Sequence, residues 1–111
     1  MTQFEAQTLT LFVEITACLA LAAATGWPPR LRRWALVAAC ASLVSHPVAW
    51  WASLNLPLPM WPRVWTIEGA VVVVEAVIYR LLATPRLTRA LVMSLITNAL
   101  SFGVGLWIIW P

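Results

Sequence analysis

Four long apolar stretches, parted by short runs rich in proline, glycine and arginine, organise the chain. They cover roughly residues 7–26, 34–54, 64–83 and 90–110. At helical rise, about 20 residues cross a hydrocarbon core of about 30 Å. The breaks between them read GWPPRLRR (26–33), NLPLPMWPR (55–63) and ATPRLTR (83–89), each with the punctuation that ends one helix and begins another. Lipid offers no water to backbone N–H and C=O groups, so segments of this kind must be helical. The pattern predicts an all-α membrane protein: a single domain, 1–111, of four transmembrane helices in a compact bundle.

Composition supports this reading. The 111 residues are 62% hydrophobic and 10% charged, too little polar surface for a soluble domain of this size. The net charge of +3 comes with no lysine at all, since the seven basic residues are all arginine. Their placement points to membrane orientation and not to nucleic acid. Arg30, Arg32 and Arg33 lie between the first two helices, and Arg80, Arg86 and Arg89 at the turn between the last two. The opposite side has Arg63 alone. Positive charge collects on the cytoplasmic side, so both termini are expected outside the cytoplasm, with the bacterial inner membrane as the expected location. The opening MTQFEAQ, with one acid and no base, agrees.

Tryptophan adds a second layer. Trp50, Trp51, Trp61, Trp65, Trp107 and Trp110 gather at the non-cytoplasmic ends, and only Trp27 and Trp34 at the cytoplasmic ends. An interfacial aromatic belt accounts for such a distribution. The same indoles, around the proline-stiffened LPLPMWP, also make a docking surface for a partner protein, a lipid or a pigment ring.

The two halves echo one another. FVEITACLALAA (12–23) resembles VVEAVIYRLLAT (73–84), and WALVAACASLVSHPVAWW (34–51) resembles RALVMSLITNALSFGVGLW (89–107) through Ala-Leu-Val and a closing tryptophan. Matched helices run the same way, which makes a parallel hairpin repeat. In so restricted an alphabet, chance accounts for the likeness about as well as duplication does.

Polar residues inside the apolar stretches carry the candidate chemistry. Counted from the non-cytoplasmic ends, Glu14 and His46 come out about 10–12 Å deep, and Glu75 and Asn98 about 16–18 Å deep. Glu68, Glu75 and Tyr79 share one face of the third helix, which should point into the bundle. Glu68 falls near the interface, where water can solvate it. An acid at the membrane midplane costs about 2.5–3.5 kcal/mol and survives by protonation, by pairing or by bordering water. Asn98, His46 and Tyr79 are the donors at matching depth for Glu75. A Glu–Asn clasp between helices is the structural alternative, worth about 0.6–2 kcal/mol.

His46, in SHPVAWW, is the sole histidine. Pro47 behind it removes a donor from the second helix and predicts a kink. His46 could ligate a metal ion together with Glu14, serve as axial ligand to a tetrapyrrole, or relay protons. It could also simply hydrogen-bond Glu14 or a carbonyl. Cys18 and Cys40 read as small hydrophobes. Ala38/Ser42 and Ser101/Gly105 are small-residue pairs suited to close helix packing. No phosphate loop, nucleophile elbow or zinc-protease motif occurs, and no complete catalytic set argues for an enzyme.

In length, helix count and Glu14, the chain resembles the small multidrug resistance exporters, proton-coupled dimers with an essential membrane glutamate. Where that family carries a tryptophan-glycine signature in its third helix, this chain has TIEGAVVVVEAVIY. The resemblance ends at the outline, so Glu14 takes no role from it. The expected function is a component of transport that binds a proton, metal ion or small cationic solute among Glu14, His46, Glu75, Asn98 and Tyr79. So small a chain would work as a homo-oligomer or within a larger membrane complex. The rival expectation is a non-catalytic accessory subunit that docks through its tryptophans.

Overall fold

Helix α1 (Gln3–Thr25) starts a full turn before the apolar stretch does. The cause is local. Thr2 Oγ1 accepts the Glu5 N–H at 3.1 Å and the Glu5 carboxylate accepts the Thr2 N–H at 3.0 Å, a reciprocal box that satisfies two otherwise orphaned donors. Gly26 ends the helix in the left-handed region (φ 68°), its N–H donating to the Ala22 carbonyl at 2.9 Å. Helix α2 (Leu31–Asn55) follows Pro28 and Pro29 and stays helical through Pro47. Helix α3 (Met60–Leu82) has Pro59 as its cap and Pro62 in its first turn, where a missing N–H costs nothing. Helix α4 (Leu87–Ile109) follows Pro85. This computed structural model describes residues 1–109, without the side chain of Ile109; Trp110 lies outside the described residues.

The connections are short, so successive helices run antiparallel. Each helix packs on its neighbours in sequence, and α1 closes the ring on α4. The diagonal pairs α1–α3 and α2–α4 do not approach one another. The bundle measures 39 × 24 × 19 Å. Three of the helices, α1, α2 and α4, are long and apolar enough to cross a membrane. Helix α3 is as long, but any 18-residue stretch of it contains at least three of Arg63, Glu68, Glu75 and Arg80.

Burial divides the bundle along its length. Buried positions fall at Glu14, Cys18 and Ala22; on the inward face of α2 between Trp34 and Ser45; at Glu75, Ala76 and Tyr79; at Thr84 in the last connection; and on the inward face of α4 between Ala90 and Asn98. All lie in the half towards the two arginine-bearing connections. In the other half, among the described residues, none is fully buried. The closed half is organised around Trp34, which is wholly inaccessible and therefore core instead of belt. Its ring lies 5.9 Å from that of Tyr79, tilted by 46°. Its indole N–H donates to the Trp27 carbonyl at 3.1 Å. Cys18, Ala22, Val37, Ala38, Ala90 and Met93 fill in around the pair.

The arginines seal that end from outside. The Arg33 Nε–H donates to the Leu82 carbonyl at 2.8 Å, tying the start of α2 to the end of α3. The Arg89 guanidinium sits 5.5 Å from the centre of the Trp27 ring, a cation–π contact. Arg80 is exposed, as a snorkelling residue should be.

Candidate functional site

A cavity of about 330 Å³ occupies the open half, and all four helices line it. Thr10 and Glu14 come from α1, Ser45, His46 and Trp50 from α2, Glu68 and Glu75 from α3, and Asn98, Ser101 and Phe102 from α4. Small residues at Ala49 and Gly105 leave the space that larger side chains would fill. Three carboxyl groups reach this wall, and among the described residues no arginine does.

Glu75, 1% exposed, is held at both oxygens. Its Oε2 accepts the Ser45 hydroxyl at 2.5 Å and its Oε1 accepts the Asn98 amide N–H at 3.0 Å. Asn98 also donates to the Ser94 carbonyl at 2.8 Å, and the Ser94 hydroxyl donates to the Val72 carbonyl at 2.7 Å. One network thus joins α2, α3 and α4. Of the three donors expected for Glu75, Asn98 alone serves. His46 and Tyr79 give it nothing, and Ser45 supplies the second bond.

Glu14 is buried to the same degree, at 2% exposed, but its Oε2 has no hydrogen-bond partner among the described residues. Ser42 lies beside its carboxyl group. The helix begins a turn earlier than the apolar pattern suggested, so Glu14 sits about 16 Å along the axis from its first residue.

His46 also lines the cavity, its ring 6.2 Å from that of Trp50. Its Nε2 is buried and unpartnered among the described residues, so it bonds neither Glu14 nor a carbonyl. Among the described residues no group of three or more His, Cys, Asp or Glu side chains converges as a metal site would require. A metal ion held by His46 and Glu14 would need its remaining ligands from elsewhere.

Tyr79 does not line the cavity. It lies beneath it in the closed half, near Cys18 and Thr97, with its hydroxyl unpartnered among the described residues. Glu68, expected to be solvated at the surface, is half-buried in the cavity wall.

Among the tryptophans, Trp50 lines the cavity, and Trp65 stands 6.0 Å from the Phe102 ring. Trp51, Trp61, Trp65 and Trp107 are exposed, Trp107 by 82%. Of the small-residue pairs, Ala38 and Ser42 pack in the interior, whereas Ser101 and Gly105 line the cavity.

Burial also relates the helices in pairs. Glu14 and Cys18 hold on α1 the places that Glu75 and Tyr79 hold on α3. On α2, Trp34, Val37, Ala38, Ala41 and Ser42 hold the places of Ala90, Met93, Ser94, Thr97 and Asn98 on α4. This register is one residue out of step with the Ala-Leu-Val match, so burial and not sequence likeness defines it. In the same register Ser45 corresponds to Ser101, and Gln7, seven residues before Glu14, corresponds to Glu68.

The Glu75 network makes a direct stability prediction. Asn98→Ala leaves Glu75 Oε1 without its donor in a buried site. Unfolding in detergent should show a loss of about 1–2 kcal/mol, with Asn98→Asp or Asn98→Ser recovering at most part of it.

Comparison with family models, with characterised proteins and with solved structures gives no match. The chemistry of the cavity must therefore carry the functional argument.

Proposed function

We propose that the chain is a small integral membrane protein that binds a compact cation in its central cavity, as a component of transport. The observation that carries this reading is Glu14: a buried carboxyl with one oxygen unpaired among the described residues, on the wall of a cavity where those residues gather two further carboxyls and no arginine. Leaving an acceptor unsatisfied in such a place is costly, and a cation is the partner its charge favours. Trp50 and Phe102 add aromatic faces that attract positive charge. Glu75, already bonded twice, keeps the cavity in shape.

In this reading α3 also crosses the membrane. It sits in the ring between α2 and α4, and its buried acid points inward, where polar groups in spanning helices belong. The arginine-bearing end is cytoplasmic by the positive-inside rule, which places the cavity mouth and both termini outside, in a bacterial inner membrane. Single cysteines at Thr2 and Thr88 check the orientation. An impermeant thiol reagent added outside should label the first and spare the second, once the exposed native Cys40 is replaced. The reverse pattern would invert the assignment.

The function is tested by titrating the purified protein in lipid nanodiscs with methylammonium, tetramethylammonium, sodium and zinc, following heat. Saturable uptake of at least one cation near one per chain is expected. If none binds, the cation reading is wrong.

The exposed Trp51, Trp65 and Trp107 favour a second reading, an accessory subunit that docks at this end. It predicts a stoichiometric membrane partner that Trp65→Leu releases while the bundle stays folded.

A further inference from the structure

The two halves of the polar site are equivalent in position and unequal in chemistry. Around Glu75, the following helix supplies Asn98 and the preceding helix supplies Ser45, and both donate to the carboxylate. Around Glu14, the place of Asn98 is taken by Ser42, and the place of Ser45 by Ser101. The serine side chain reaches one bond less far than that of asparagine and carries a hydroxyl in place of an amide N–H. The Ser42 hydroxyl oxygen is itself occupied as an acceptor by the Gln7 amide at 3.3 Å. Both oxygens of Glu75 receive a donor, whereas among the described residues neither serine nor any other group donates to Glu14 Oε2.

We infer that Glu14 is the ligand-binding carboxyl, and that its ligand is a cation carrying N–H groups, a protonated primary amine or ammonium itself, whose N–H takes the place that the Asn98 amide takes at Glu75. This rests on the cation reading above and sharpens it. The Asn98 amide acts as a built-in mimic of the ligand at the occupied half. A nitrogen donor about 3.0 Å from the carboxylate oxygen, as at Glu75, satisfies the orphaned acceptor. An ammonium adds charge to that bond and has further N–H groups to spend on neighbours that line the same cavity. Ser101 offers a hydroxyl there, and His46 an unpartnered ring nitrogen. A quaternary ammonium, or an alkali ion lacking N–H, has the charge and not the directed donor. Glu68 adds negative charge on the same wall, but its counterpart Gln7 on the Glu14 side is neutral. Selectivity at Glu14 must accordingly come from the hydrogen bond more than from a surrounding field.

The wild-type protein in nanodiscs provides the first test. Methylammonium should bind at least about tenfold more tightly than tetramethylammonium, the scale of one charge-assisted hydrogen bond. Equal affinities would overturn the N–H assignment and leave the cation reading standing; binding of neither, nor of any other cation, would remove that reading as well.

The second test fills the vacancy from within. Ser42→Asn places an amide where Asn98 stands in the other half, and should weaken methylammonium binding by about tenfold or more. Ser42→Ala, which removes the hydroxyl without filling the space, should retain binding within about threefold, well inside the effect of one such bond. If Ser42→Asn binds like wild type, or if both variants lose binding equally, occupancy of that position is not what matters and the inference fails. Should Ser42→Asn not fold, the wild-type selectivity decides alone.

Discussion

Replacing Trp34 with alanine should destabilise the bundle by about 3 kcal/mol, the largest loss expected of any single core substitution here. Large-to-small changes at buried aromatic positions cost about 3–5 kcal/mol. The lower figure applies because unfolding within a bilayer exposes the indole to hydrocarbon and not to water, so lost packing dominates over lost burial. Trp34 joins three things at once: the Tyr79 ring, the Trp27 carbonyl and the small residues that close around it. Trp34→Phe separates these contributions. It keeps a ring against Tyr79, loses the bond to Trp27 and should cost about 1 kcal/mol beyond the change in volume. Reversible unfolding in mixed detergent, read by helical circular dichroism, measures both. A Trp34→Ala protein as stable as wild type would mean that the closed end does not hold the bundle together.

The second large effect separates two glutamates of equal burial. Glu14→Gln should lower cation affinity by about 2–5 kcal/mol, the range found when one partner of a desolvated charge pair is removed. The fold should survive, because no hydrogen bond to Glu14 Oε2 is broken. Glu75→Gln should change affinity only a few-fold, far less than the loss of a buried charge partner. A glutamine there can accept from Asn98 with its oxygen and donate to the Ser45 hydroxyl with its nitrogen, since a hydroxyl works in both senses. Glu75→Leu, in contrast, strands both partners and should destabilise by about 1–2 kcal/mol. Heat measurements on the two glutamine variants provide the comparison. If Glu75→Gln loses as much affinity as Glu14→Gln, the two carboxyls bind together and the division of roles drawn here is wrong.

How far the sequence revealed this arrangement varies with the kind of signal. The four helices were plain from apolar runs and proline breaks, because backbone satisfaction in lipid allows little else. The start of α1 was misplaced by a turn, since hydropathy marks where lipid begins and not where a helix begins. The Thr2-Gln-Phe-Glu5 pattern, a legible capping box, carried the correct boundary. Glu75 with Asn98 was readable as a clasp from depth alone. Ser45 was not, although it adjoins His46, because a serine in a membrane helix is too common to single out. Tyr79 is on the inward face of α3, as expected, but lies below the cavity, because sharing a helical face says nothing about the level at which the bundle closes. That level depends on Trp34, whose position near a helix end reads as an interfacial anchor until the neighbouring helices are in place.

The closure at one end has a consequence for what a single bundle can accomplish. A solute that reaches Glu14 meets the Trp34–Tyr79 pair beneath it and must leave by the mouth through which it came. On the proposed cation-binding reading, the chain in this conformation equilibrates with one compartment and is blind to the other. Net passage demands a second arrangement in which an indole withdraws from the axis while the gaping half draws shut. Absent that exchange, the same four helices make a one-sided receptor, whose occupancy reports the concentration on a single face of the membrane.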